Sequence, residues 1–241
     1  MPRFFVGRVE GQSAVIEGED ARHIALALRM KTGEMLTVCD SAGQDYQCVI
    51  RRIQPDRVEL QVQAVEPSAG EPGVWITLYQ ALPKGDKMET IIQKSVELGV
   101  GRIVPVLTRR CVSRPDPKAL AKKLERWNRI ALEAAKQCGR GRVPPVEGLV
   151  DFREAVQQMK AAPLGIFFYE NAATPLKPLL ERSPLAETAV LIGSEGGFEP
   201  SEAAYAQENG LHCCSLGSRI LRCETAPLAA ITAILYQAGD I

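Results

Sequence analysis

The chain is 241 residues long, 46% hydrophobic and formally neutral, with 29 Lys+Arg against 29 Asp+Glu. That length allows one large domain or two modest ones with a sizeable core, and no apolar run reaches a membrane span or forms a charged-then-apolar leader. Seven cysteines without a Cys-x-x-Cys pair and only two histidines give a metal little to bind, so reduced thiols in a cytoplasmic protein without a metal site is the economical reading.

Residues 1–70 read mostly as strand. Met35–Cys39, Tyr46–Ile50 and Arg57–Val62 are short β-prone runs, with Asp40-Ser41-Ala42-Gly43 as a hairpin turn. One helix, from Asp20 as its cap to Met30, interrupts them, and the pattern predicts a small β-barrel. The segment Glu66–Gly73, rich in proline and glycine, reads as a linker. From residue 73 to 241 strand and helix alternate. Val74–Gln80, Arg102–Leu107, Gly165–Tyr169, Ala189–Ile192 and Leu211–Leu216 are the expected strands. Lys87–Leu98, Pro117–Cys138, Pro200–Asn209 and Pro227–Ala238 are the expected helices. That rhythm predicts an α/β domain with a parallel sheet covered on both faces.

Charge is unevenly distributed. Residues 73–150 hold 15 Lys+Arg against 7 Asp+Glu, while residues 1–72 hold 8 against 11 and residues 151–241 hold 6 against 11. A basic middle third within a neutral chain suggests a polyanion-binding face. Lys84, Lys87, Lys94, Arg109, Arg110, Arg140 and Arg142 are the candidate phosphate contacts, although helix faces such as Lys118–Arg129 can carry charge merely for solvation.

Two stretches are the most unusual in the chain. Gly193-Ser194-Glu195-Gly196-Gly197-Phe198 follows one expected strand, and Leu216-Gly217-Ser218-Arg219-Ile220-Leu221-Arg222-Cys223-Glu224-Thr225-Ala226 follows another. A glycine loop after a buried strand lets backbone N–H groups approach a ligand, and two such loops side by side can form a cofactor pocket. The phosphate loop of nucleoside triphosphatases and the Gly-x-Gly-x-x-Gly dinucleotide fingerprint are both absent. Ser194 lacks the first glycine of a nucleophile elbow, because Ile192 stands there. His212 reads as structural, and of the adjacent Cys213 and Cys214 one is expected in the core and the other half-buried.

Both loops resemble the signature loops of SPOUT-class methyltransferases, specifically the family that methylates N3 of a uridine in bacterial small-subunit (16S) ribosomal RNA. Three earlier segments are similar to that family as well: Ala81–Glu89 running into Gln93–Val100, Glu133–Arg140, and Arg22-His23-Ile24 with Leu28-Arg29 and Gly33. The chain departs from the family at Ser194, where a proline is usual, and at Glu199, which replaces a serine or threonine cap before Pro200.

The resemblance implies an N-terminal PUA-like β-barrel over 1–70 and a C-terminal SPOUT domain over 73–241, whose loops form a trefoil knot. It also implies a homodimer, with S-adenosylmethionine as cofactor and ribosomal RNA of the small subunit as substrate. Leu191, Ile192, Gly193, Gly196, Gly197, Leu216, Gly217, Ile220, Leu221, Thr225 and Ala226 would cradle the cofactor. Arg222 is the first choice to hold a uracil anion, with Glu195 and Glu170 as proton acceptors. Arg3, Arg8, Arg22 and Arg29 would bring the N-terminal module to RNA. Two other readings remain: a non-catalytic RNA-binding or ribosome-assembly protein with a decayed loop at Ser194, and a nucleotide-dependent oxidoreductase.

Overall fold

The computed structural model describes residues 1–6 and 9–241; the expected RNA contact Arg8 lies outside them. The chain divides into two compact units, residues 1–71 with 135–143, and residues 72–134 with 144–241.

Unit 1 contains β1 (Arg3–Phe5), β2 (Val9–Glu10), β3 (Ser13–Glu17), α1 (Gly18–Arg22), β4 (Met35–Cys39), β5 (Gln44–Gln54) and β6 (Arg57–Pro67). They form a six-stranded sheet in the order β1-β4-β5-β6-β3-β2, antiparallel except for the parallel pair β1–β4. Among the described residues no ladder joins β1 to β2, so the hydrogen-bonded order has two ends. Alternation turns Ala14 and Ile16 of β3 and Val58 and Leu60 of β6 inward, onto Phe4, Ile24, Leu36, Val38 and Ile50. Two register shifts along β5, at Gln47/Cys48 and Ile50/Arg52, bend that long strand. The turn at 40–43 forms as expected, with the Asp40 carboxylate accepting the Ala42 N–H at 2.8 Å and Gly43 at φ +94°.

One expectation for this unit needs correction. The helix begins at Gly18 behind Glu17, passes into one π-helical turn over His23–Ala27, and stops before Arg29, whose φ is +52°. Asp20 lies inside the helix and does not cap it; its carboxylate takes the Lys136 ammonium at 2.9 Å. The boundary between the two units falls inside the expected linker 66–73, between Glu71 and Pro72, and the part of it in unit 1 is tied down. β6 runs through Pro67, buried Ser68 donates to the Asp45 carboxylate, and Glu71 accepts the N–H groups of Gly141 and Arg142 at 3.0 Å each. These polar groups find partners within the unit and hold the segment down.

Unit 2 runs β7 (Trp75–Ala81), α2 (Lys87–Glu97), β8 (Arg102–Leu107), α3 (Pro117–Cys138), β9 (Val150–Asp151), α4 (Phe152–Met159) and β10 (Leu164–Phe168). It continues with α5 (Leu176–Leu180), β11 (Glu187–Ile192), α6 (Pro200–Glu208), β12 (His212–Cys214) and α7 (Ala226–Ala238). The residues of α3 from 135 onward belong to unit 1. All six strands are parallel, in the order β12-β10-β11-β7-β8-β9. The central strands are apolar on both faces, as a sheet covered by helices requires. The sequence reading passed over α4. Asp151 caps it by accepting the Glu154 N–H at 2.9 Å, and Phe152, Ala155, Val156 and Met159 form its buried stripe. Cys213 and Cys214 are both buried although β12 ends the sheet and pairs only with β10, so the expectation that one of them is half-buried is corrected.

Candidate active site

A cavity of about 760 Å³ opens at the carboxyl ends of β10, β11 and β12, the position where an open parallel sheet offers its ligand crevice. Its walls are the loops 193–198 and 215–223 with Phe168, Tyr169 and Glu170. The first loop is held from below by Phe198, which is buried with its ring 4.5 Å from that of Phe167. Gly197 sits at φ +64° and its N–H bonds the Ser194 carbonyl at 3.0 Å, closing a tight turn. A Cβ at Gly197 would stand 2.7 Å from a Glu170 oxygen, one at Gly193 3.1 Å from the Phe198 ring, and one at Gly196 3.0 Å from Arg110 Cβ. The loop is therefore made of glycine because backbone is all that fits there.

Of the expected cofactor residues, Ile192, Gly193, Gly196, Gly197, Leu216, Gly217, Ile220, Leu221 and Ala226 line this cavity, and so do Glu170, Glu195 and Arg222. Two expected residues do not line it. Leu191 points into the core beneath, since strand alternation turns it away from the mouth, and Thr225 is exposed just ahead of α7. Tyr169, Ala172 and Ser194 are lining residues that the sequence reading missed. Only their position after a buried strand could have signalled them. The Ser194 hydroxyl and the Gln80 amide oxygen are buried without a hydrogen-bond partner among the described residues, while Gln80 Nε2 donates to the Gly193 carbonyl at 3.2 Å. A buried hydroxyl without a partner beside a glycine cradle and the apolar Ile192 and Leu221 suits a ligand with both polar and apolar parts, as S-adenosylmethionine has.

Charged groups tie the two loops together. Lys87 Nζ lies 3.0 Å from the Glu195 carboxylate in the first loop and 3.4 Å from Glu224 in the second. Glu195 also accepts the Lys84 N–H at 3.2 Å, and the Cys223 thiol donates to Glu224 at 3.2 Å. Burial would raise the Glu195 carboxyl, but the Lys87 ammonium and the backbone N–H groups outweigh it and hold it below the usual carboxylate range. The Cys223 thiol is pushed up to about 12 by burial and the adjacent Glu224, so it remains protonated and unreactive. Glu195 is thus engaged as the ion-pair partner of Lys87. Glu170 and Arg222 carry no ion pair among the described residues.

The expected RNA contacts separate into free and engaged cations. In unit 1, Arg22, Arg29 and Arg142 are exposed, Arg142 lying over the turn at Gly43. Arg3 is bound to Asp45 at 2.6 Å, and Arg140 is buried against Glu71 at 2.7 Å, so both charges are already engaged. In unit 2, Lys84 is exposed, but Lys87 belongs to the loop tie and Lys94 pairs with Glu97 at 2.9 Å. Arg110 bonds Glu199 at 2.9 Å and the Gly196 carbonyl at 3.0 Å, bracing the first loop. Arg109 remains exposed and reaches Ser201 Oγ at 3.1 Å.

Comparison with known proteins gives a consistent result. The RNA methyltransferase domain family matches residues 70–235, and the RNA methyltransferase PUA domain family matches residues 16–63. Ribosomal RNA small subunit methyltransferase E of Bacillus subtilis is 33% identical, over 98% of this chain and 97% of its own. The crystal structure of the protein of that name from Neisseria gonorrhoeae, bound to S-adenosylmethionine, is 35% identical with a TM-score of 0.88, covering 98% of this chain and 97% of that one. A Legionella pneumophila protein solved with S-adenosylmethionine bound is 32% identical with a TM-score of 0.85, covering 98% and 97%.

Proposed function

This chain belongs to the RNA methyltransferase family that includes ribosomal RNA small subunit methyltransferase E, and from that membership we propose that it methylates N3 of a uridine in small-subunit ribosomal RNA with S-adenosylmethionine. The observation that carries this reading is the convergence of both glycine loops on one cavity at the strand carboxyl ends. The sulfonium of the cofactor supplies an activated methyl group with a neutral leaving group. What this chain adds is alignment and exclusion of water.

The backbone of residues 193–197 and 216–221 would hold the cofactor, with Ile192 and Leu221 supplying apolar contact and the Ser194 hydroxyl gaining a partner. The Lys87 tie to Glu195 and Glu224 would keep the two loops in one arrangement. Uracil N3 must lose its proton as the new N–C bond forms and the methyl–sulfur bond breaks. Glu170, free of ion pairs at the cavity rim, would accept that proton, and the Arg222 guanidinium would hold the negative charge developing on the ring. Lys84, Arg109, Arg22, Arg29 and Arg142 would serve the phosphates. A barrel in residues 1–70, a trefoil knot through the two loops and a homodimer complete the proposal on the strength of the family resemblance, and sedimentation at equilibrium tests the dimer.

Mass mapping of ribosomal RNA from cells with and without the gene tests the function, and one methyl group should be missing from a small-subunit uridine when the gene is absent. Identical maps would sink the proposal. Titration with S-adenosylmethionine and with nicotinamide nucleotides would expose the oxidoreductase alternative.

A further inference from the structure

A second cavity, of about 550 Å³, lies on the same edge of the parallel sheet, beyond the carboxyl ends of β8 and β9. Three arginines line it: Arg109 and Arg114 from the segment after β8, and Arg153 from the first turn of α4. Nearby, Arg110 is paired with Glu199 and Lys87 with Glu195 and Glu224. Within this cavity none of the three guanidinium groups forms an ion pair among the described residues, although Arg109 lies near enough to Glu199 for its charge to help hold that carboxyl low. Arg109 reaches Ser201 Oγ at 3.1 Å, Arg114 reaches the Thr108 carbonyl at 3.2 Å, and Arg153 lies over the Tyr205 ring at 4.9 Å.

The carboxylates in the wall have other work. Glu202 is buried and accepts the N–H groups of Arg109 and Glu199 at 2.9 Å each. Asp151 is held by the Glu154 N–H at the start of α4, which leaves Glu208 as the one carboxylate not fixed by a backbone donor. Guanidinium forks that face a shared space without an ion-pair partner suit oxyanions that can take two parallel N–H donors, phosphate among them. An arginine stacked on a tyrosine also offers a platform on which an unpaired base can lie. Arg110 braces the cofactor loop through Gly196, and its neighbour Arg109 enters this cavity, so the two pockets share one short backbone segment.

We propose that this cavity is a subsite for the phosphodiester backbone of the RNA strand flanking the target nucleotide, with Arg114 and Arg153 as its phosphate contacts beside Arg109. The assignment rests on the RNA methyltransferase reading, and its test is independent of turnover. Binding of a fluorescent single-stranded oligoribonucleotide is measured by anisotropy across a salt series for wild type, Arg114→Gln, Arg153→Gln and the double variant, with S-adenosylmethionine affinity measured by calorimetry alongside. The double variant should bind RNA about tenfold or more weakly at low salt and flatten the log–log salt slope by roughly 1.4 units, about 0.7 for each lost contact to a single strand. Cofactor affinity should stay at the wild-type value, and Arg153→Lys should recover the slope with only part of the affinity.

A wild-type slope and affinity in a folded double variant would overturn the subsite, and so would competition by inorganic phosphate as effective as that by the oligoribonucleotide. If the double variant does not fold, the single variants decide by the same two readings. A wild-type protein that binds RNA with the expected slope yet transfers no methyl group would refute the enzyme reading and leave the subsite standing.

Discussion

At the residue scale the cavity depends on a few atoms whose roles can be separated. Gly197 combines a left-handed backbone with a carboxylate 2.7 Å from where a Cβ would stand. The left-handed conformation costs an alanine about 1–2 kcal/mol, and that penalty corresponds to roughly a tenfold change in an equilibrium constant. Gly197→Ala should therefore lower S-adenosylmethionine affinity by about tenfold or more while the protein stays folded, as calorimetric titration would register; unchanged affinity would reduce the loop to a turn. In the role proposed for it, Arg222 would act on charge that develops during transfer, so Arg222→Ala and Arg222→Lys should slow kcat by about a hundredfold with KM and cofactor affinity near normal. Lost RNA affinity with intact turnover would make Arg222 a phosphate anchor. Glu195 predicts a pH effect. Its carboxyl is held low in the folded protein, so its contribution is complete above the ordinary glutamate value of about 4.3 and disappears as pH falls through the lowered one. Lys87 is raised, chiefly by Glu195, so its share persists below the ordinary lysine range and is lost only in strong alkali. Tm measured against pH should fall less steeply on the acid side in Glu195→Gln than in wild type, and superimposable acid limbs would contradict the loop tie.

At the element scale, the basic run after α3 shows how position in the fold overrides charge. Arg140 and Arg142 look alike in sequence, yet Arg140 is 2% exposed against Glu71 and Arg142 lies on the surface. Removing one partner of a buried ion pair typically costs about 3–5 kcal/mol, whereas an exposed arginine costs little. Urea denaturation should show Arg140→Ala destabilised on that scale and Arg142→Ala near wild type, with RNA affinity reduced in Arg142→Ala alone among folded proteins. Equal stabilities would mean that Glu71 does not hold this loop. The regular elements were readable because their signals are local. Arg102–Leu107 and Pro117–Cys138 were delimited to the residue by apolar run, proline start and glycine stop. The stripe of α4 is equally periodic but has only eight residues to show it. The cavity walls were readable because glycine loops follow buried strands. The ion pairs were not, since Glu71 and Arg140, or Lys87 and Glu195, are brought together only by the tertiary fold. Hence the uneven charge that pointed to RNA could not separate exposed cations from Lys87, Arg110 and Arg140, which the fold pairs with Glu195, Glu199 and Glu71.

At the scale of the whole molecule, RNA recognition and methyl transfer divide between groups with different demands. On the proposed reading the phosphate contacts would come from exposed cations such as Arg22, Arg29, Arg142, Lys84 and Arg109, acting additively through the salt dependence of binding. Transfer needs one cavity whose loops are fixed before the RNA arrives, and here Phe198, Arg110 and Lys87 fix them. An enzyme and a mere binder of the same fold would share the first set and differ in whether the second is used. The measurement that separates them most directly is transfer of isotopically labelled methyl from S-adenosylmethionine to small-subunit ribosomal RNA or subunits from cells lacking the gene, followed by nuclease digestion and mass analysis of the labelled nucleoside. The account predicts about one methyl group per RNA, found at N3 of a single uridine and absent when Arg222→Ala replaces the wild type. No incorporated label, or label on any other atom, would contradict it.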